Sequence, residues 1–291
     1  MEQVPFVDLN DPQSYLSSLL IPEEETLKNI QILESLHAEE LPKEAVALDY
    51  ESEIEWSQIW QDKLIPLASD STNDLTLYGL VDSDWVAETR KTAKTLTPNW
   101  DMSKPLLILR HGNDLIGCAL SWYGNAWTFT NPWMEIGDFD GDGKENEVAV
   151  YTNVASESFT NYNQLGIYNL DTRKSSIVDI SNLDVWADID QERKQVTLYA
   201  GTYTMTLPVP DYIYEEGEPK LSISYGECVY YDYNKYNLNG EELNCTAAIA
   251  IFDETEGLPS YFATVTTSIV AGRDGSDIKY ELGPVLSISA G

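Results

Sequence analysis

The chain has 291 residues, which suits one large domain or two ordinary ones. Its 17 Lys and Arg are set against 49 Asp and Glu, a formal net charge of −32. That balance argues against nucleic acid and anionic membrane surfaces, whose recognition needs clustered cations, while 43% hydrophobic and 11% aromatic residues can build a core, so this is not a disordered acidic tail.

No apolar run approaches the length of a membrane span. Met1-Glu2-Gln3-Val4-Pro5 has neither a basic region nor an apolar stretch behind it, so no signal peptide is expected. Residues 1–21 read as an extended polar arm. Pro22 then opens a helical pattern: Glu23, Glu24 and Glu25 complement the dipole of its first turn, and Leu27, Ile30, Leu33 and Leu36 form one stripe. A second helix is predicted from Ser52, where Ser52 and Glu55 match a capping box. Trp56, Ile59, Trp60 and Leu64 share a face of that helix, and Pro66 ends it. Residues 1–72 are therefore expected to be an arm and two helices.

From residue 73 the texture changes to short alternating runs separated by Gly, Asn and Asp. Runs at 75–78, 106–109, 164–168, 196–199 and 261–270 predict an all-β domain over 73–291. Arg110-His111-Gly112 resembles the signature of the histidine phosphatases, but that chemistry needs a second downstream His, and the chain has only His37 and His111. A hairpin turn through His111-Gly112-Asn113-Asp114 is the expected structure. Trp122, Trp127 and Trp133 concentrate aromatic faces near acids and amides. They are candidate sugar-stacking residues, with an ordinary core as the plainer alternative.

The densest motif follows at Asp138-Phe139-Asp140-Gly141-Asp142-Gly143-Lys144-Glu145-Asn146-Glu147. Three acids at alternate positions, with glycines free to take φ > 0, form a curl that aims carboxylates at one point. Converging like charges disfavour ionisation unless a cation joins them, and calcium accepts six to eight oxygen ligands. A helix-loop-helix calcium loop is excluded, because its twelfth position, a bidentate Glu, is here Ala149. The following Val148-Ala149-Val150-Tyr151 alternates at period two, so the loop is expected at the tip of a β-hairpin.

On these residues the chain resembles the FG-GAP/VCBS repeats of integrin-like β-propellers and many secreted bacterial proteins. The resemblance implies a Ca2+ site formed by the side chains of Asp138, Asp140 and Asp142, the carbonyl of Lys144, and Asn146; an offset of one residue makes Glu147 the last ligand instead. Weaker echoes begin at Asp188 and Asn237, spaced by 50 and 49 residues, and each precedes a strand-like run. Propeller blades repeat at about 40–50 residues. The echo at Asp188-Ile189-Asp190 lacks the glycines and reads as a hairpin without metal, and a D-x-D also stands upstream at Asp82-Ser83-Asp84.

Of the three cysteines, Cys118 reads as a buried small hydrophobe. Cys228 and Cys245 face each other across a hairpin if its turn centres on Tyr236-Asn237, but not if Asn239-Gly240 makes the turn. No nucleophile elbow, phosphate loop or metalloprotease helix is present, and no carboxylate pair stands out for glycoside hydrolysis. The expectation is a β-propeller-like array of degenerate four-stranded blades, with a β-sandwich bearing one calcium hairpin as the alternative. The implied protein is bacterial, secreted or cell-surface attached, and binds a protein or glycan in an adhesion-type role. An extracellular polysaccharide-acting enzyme or its accessory module is the second reading.

Overall fold

The computed structural model describes residues 7–8, 31–32, 34–46, 53–97, 103–118, 132–155, 161–177, 183–209, 221–230, 243–253, 259–274 and 277–290. They are mostly β-strand, in four open antiparallel sheets, so the all-β expectation holds. Two compact units emerge: one comprises residues through Asp138 with Gly143–Phe159 and Gln164–Ile177, the other Phe139–Asp142, Thr160–Asn163 and Val178–Gly291.

In the first unit, β1 (Val7–Asp8), β2 (Leu64–Asp70), β3 (Leu75–Val81), β4 (Ser103–His111) and β5 (Asp114–Cys118) make a five-stranded sheet in the order β1-β5-β4-β3-β2. A second sheet runs in sequence order through β6 (Trp133–Gly137), β7 (Glu147–Ala155), β8 (Asn161–Asn169) and β9 (Lys174–Ile177). Inward positions of both sheets share one core: Ile65, Leu67, Leu75, Leu77, Leu107 and Leu109 cluster with Val148, Val150 and Tyr168. Burying each aliphatic side chain contributes about 1.5–3 kcal/mol. Every residue of β3 is buried, because chain 38–46 covers its other face: the Tyr78 hydroxyl donates to the Pro42 carbonyl at 2.7 Å.

The N-terminal expectation needs correction. Gln31, Ile32 and Glu34 are helical, but the helix predicted from Ser52 is a single 3-10 turn, Trp56–Gln58, capped reciprocally by Glu55 and Gln58. Gln61 and Asp62 then take φ of 47° and 58°, and the chain doubles back so that Trp60 bridges Leu64. A strand begins where the helix was to end. Pro66 is tolerated because β2 is an edge strand with a bulge at that point. A boundary at 72/73 falls inside the β2–β3 turn.

Asp82-Ser83-Asp84 is likewise no blade loop. Asp82 is the N-cap of α1 (Ser83–Thr89), accepting from the Asp84 and Trp85 amides at 3.0 Å each. Val86 of α1 is fully buried in the core, and Arg90 lies 4.9 Å above the Trp56 ring while pairing with Asp62. The turn expected at His111–Asp114 is present, with Gly112 at φ 58°. Arg110 is 1% exposed and bonds Asp74 and the Ala38 carbonyl, so it is structural.

The second unit holds β10 (Val185–Asp190), β11 (Gln195–Ala200) and β12 (Tyr203–Pro208) as a three-stranded meander. It also holds β13 (Leu221–Tyr230), β14 (Leu243–Asp253), β15 (Pro259–Asp274) and β16 (Asp277–Ala290) as a four-stranded one. Val196, Leu198 and Ala200 pack with Ile249, Ile251, Ala263 and Val265 in its core. The echo at Asp188 and Asp190 is a plain hairpin: Asp190 accepts from the Arg193 amide at 3.0 Å, and the Arg193 side chain comes within 3.7 Å of its carboxylate. The echo at 237–242 lies outside the described residues.

Register decides the cysteine question. Cys228 stands opposite Ala248, three residues from Cys245. Cys245 is free and 1% exposed, and burial pushes its thiol up to about 12.

One connector recurs in both units. The β2–β3, β8–β9 and β10–β11 hairpins each have a four-residue loop that follows an Asp or Asn. That side chain accepts loop amides, and the last loop residue is left-handed (Asp74 at 49°, Arg173 at 56°, Lys194 at 52°). The side chain supplies the local bond that bends the backbone, and the left-handed residue returns it into register.

Candidate metal centre

The site is the loop between β6 and β7. The two strands pair antiparallel, with Ile136 opposite Val148 and Gly137 opposite Glu147, and residues 138–146 close the hairpin. Gly141 and Gly143 take φ of 73° and 88°. A Cβ at either would meet nothing within 4 Å, so glycine is required here for backbone conformation and not for space. The curl is held by the acids' own oxygens. Asp140 Oδ1 accepts from the Asp142 amide at 2.9 Å, and Asp138 Oδ2 accepts from the Gly143 amide at 2.8 Å. Phe139, between them, is buried.

Three of the predicted acids come together. One oxygen each of Asp138, Asp140 and Glu147 lies within 4.8 Å of the other two. Asp138 and Asp140 are half-buried, and Glu147 is fully buried. Asn146 is also buried, at 8% exposure, and its Oδ1 has no hydrogen-bond partner. Asp142 and Lys144 are exposed. The Asp142 carboxylate is not among the three that converge, and the Lys144 ammonium lies 3.7 Å from Asp171. Both alternatives for the last ligand are thus placed in the interior: Glu147 in the triad, Asn146 beside it in sequence.

Burying carboxylates together is costly unless a positive charge compensates them. An all-oxygen set of three carboxylates, with no His or Cys in the cluster, fits a hard cation such as calcium and not zinc or copper. An orphaned buried amide oxygen is what such an ion would satisfy.

Two residues at the site have no counterpart in the expected ligand set. In the β8–β9 turn, Asn169 donates through Nδ2 to Glu147 Oε1, while Asp171 Oδ2 accepts from Asn146 Nδ2 at 2.8 Å. The run Asn169-Leu170-Asp171-Thr172 reads as a turn from sequence, but its link to residues 146 and 147 is long-range and carries no local signal. Trp122 and Trp127 lie outside the described residues. Trp133 opens β6 opposite Tyr151, and its side chain is also outside the description.

Comparison with protein-family models, with curated proteins and with solved structures returned no significant match.

Proposed function

We propose that the β6–β7 hairpin holds a structural calcium ion and that the protein is a secreted or cell-surface bacterial binding protein of the adhesion type. The observation that carries the calcium reading is the convergence of Asp138, Asp140 and Glu147 within 4.8 Å, together with the unpartnered, buried Oδ1 of Asn146, the residue preceding Glu147. The ion would neutralise the buried acids and pin the hairpin, contributing to folding and not to chemistry. A surface loop of this kind suits the millimolar calcium of an extracellular setting.

A propeller-like arrangement is supported by strand order: β6-β7-β8-β9 and β13-β14-β15-β16 are each four consecutive antiparallel strands, the pattern of a blade. For the ligand, a glycan is favoured over a protein by the outer face of the β10–β11–β12 sheet. There Trp186, 52% exposed, stacks on Tyr199 with ring centroids 3.8 Å apart and planes at 8°. Asp188 and Thr197 follow on the same face, and Thr197 shares a hydrogen bond with Thr206. A rigid aromatic beside hydroxyl and carboxylate groups matches the apolar faces and hydroxyls of a sugar.

The test is calorimetric titration with calcium together with thermal unfolding in millimolar calcium and in excess chelator. At a hundred times the dissociation constant the ion should stabilise the fold by about 2.7 kcal/mol. Absence of both heat and melting shift would overturn the calcium reading. A glycan array probed with wild type and Trp186→Ala tests the ligand: binding lost in the variant supports it, and equal binding removes Trp186 from the site.

A further inference from the structure

We propose that the β8–β9 turn is the positioning element of the cation centre, with Asn169 and Asp171 setting its affinity; the inference rests on the calcium reading above. Its basis is a directional chain of hydrogen bonds. The backbone amides of Asp171 and Thr172 donate to Asn169 Oδ1 at 3.1 and 2.8 Å, which fixes the orientation of the Asn169 amide. Its Nδ2 is thereby committed as a donor toward Glu147 Oε1, and Asn169 is itself 8% exposed. Glu147 is held by one oxygen in a pose that brings the carboxylate within 4.8 Å of Asp138 and Asp140.

Asp171 acts on the neighbouring residue in the same way. A carboxylate accepts only, so Asn146 must present Nδ2 to it. Its Oδ1 is then turned to the other side of the amide, buried and unpartnered. The Lys144 ammonium beside Asp171 restrains that carboxylate in turn. The turn is tied to the start of β7 by the backbone as well, since the Leu170 amide donates to the Asn146 carbonyl at 2.8 Å. A carboxylate of the cluster and the amide of the residue preceding it are thus oriented by Asn169 and Asp171, two residues apart in the chain. Such outer partners fix the orientation of metal ligands, and losing one typically lowers affinity by about 10–100-fold.

The experiment measures calcium affinity by calorimetry for the full chain and for Asn169→Ser, Asp171→Ala and Thr172→Ala, with melting temperatures in chelator alongside. Serine keeps a short acceptor for the turn amides but cannot reach Glu147, and the exposed Asp171 side chain can be removed without opening the core. Asn169→Ser and Asp171→Ala are expected to weaken calcium binding about tenfold or more, and Thr172→Ala by less than twofold. Affinities within twofold of wild type, whatever happens to the melting temperature in chelator, would mean the turn is merely structural and would overturn the inference. If Asn169→Ser does not fold, Asp171→Ala decides alone. A wild-type chain that takes up no calcium would instead remove the calcium reading itself.

Discussion

Arg110 and Asp74 form a forked ion pair across the β3–β4 edge: Nη1 and Nη2 both donate to Oδ1, at 3.0 and 3.1 Å, and Nη2 also donates to Oδ2 at 3.1 Å. The arginine is buried while the aspartate is half exposed and also receives Lys43 at 2.9 Å. This pair closes the left-handed end of the β2–β3 turn and holds chain 38–43 over the sheet.

The pair should be visible in pH dependence. The Arg110 guanidinium first, and Lys43 second, bring the Asp74 carboxyl from 3.8 down to about 2. A depressed folded-state value means the stabilisation is fully present above pH 3.8 and is lost as pH falls toward 2. Asp74→Asn should therefore melt below wild type at pH 7 by an amount that stays constant to about pH 5 and narrows below about pH 4. Melting curves of both proteins from pH 7 to pH 3 check this. A gap that does not narrow would show that the carboxylate's charge is not what Arg110 uses.

Asp140→Ala tests the centre from the ligand side. In calcium at a hundred times the wild-type dissociation constant, the variant should lose most of about 2.7 kcal/mol. In chelator it should change little, since the Asp142 amide that Asp140 accepts lies in an exposed segment that water can reach. Chemical denaturation in both conditions separates the two. Equal losses would mean that Asp140 serves the loop backbone alone.

The strands were readable because period-two alternation is local: a buried face forces it within each run, as at Val196, Leu198 and Ala200 of β11. The acidic loop was readable because its glycines and acids lie within ten residues. Three features were not. Trp56, Ile59, Trp60 and Leu64 satisfy helical spacing, yet the left-handed Gln61 and Asp62 reverse the chain between them, and neither residue type announces that conformation. Asn169 and Asp171 meet residues 146 and 147 only through strand pairing, which a single sequence does not display. The recurrent hairpin connector was hidden for a related reason, since its left-handed position is filled by Asp74, Arg173 and Lys194 where a glycine would have marked it.

That substitution pattern makes a prediction. A left-handed non-glycine residue costs about 1–2 kcal/mol, against about 0.5–1 kcal/mol of extra chain entropy lost by glycine. Lys194→Gly, at φ 52°, should then stabilise the protein by about 0.5–1 kcal/mol in denaturant titration. A loss of stability would mean that the Lys194 side chain contributes more through its contacts than its backbone conformation costs.

Gly283 and Gly272 lie on the paired strands β16 and β15 and make a contrasting pair. A Cβ on Gly283 would stand 2.5 Å from Ser268 Oγ, 2.7 Å from Val270 Cγ1 and 3.4 Å from the Ser268 carbonyl. On Gly272 its nearest neighbour would be Glu281 Oε1 at 3.6 Å, ordinary van der Waals contact. Ser268 is not free to swing aside without cost, because its hydroxyl donates to the Pro284 carbonyl at 3.2 Å. Gly283→Ala should therefore destabilise by about 1–3 kcal/mol, the usual range for overpacking. Gly272→Ala should be neutral or slightly stabilising, since alanine narrows the unfolded ensemble. Paired denaturation curves check the contrast. Equal small effects would mean that the β15–β16 register relaxes at its bulge near Thr267 to make room, and that the close approach at Gly283 does not hold the two strands in place.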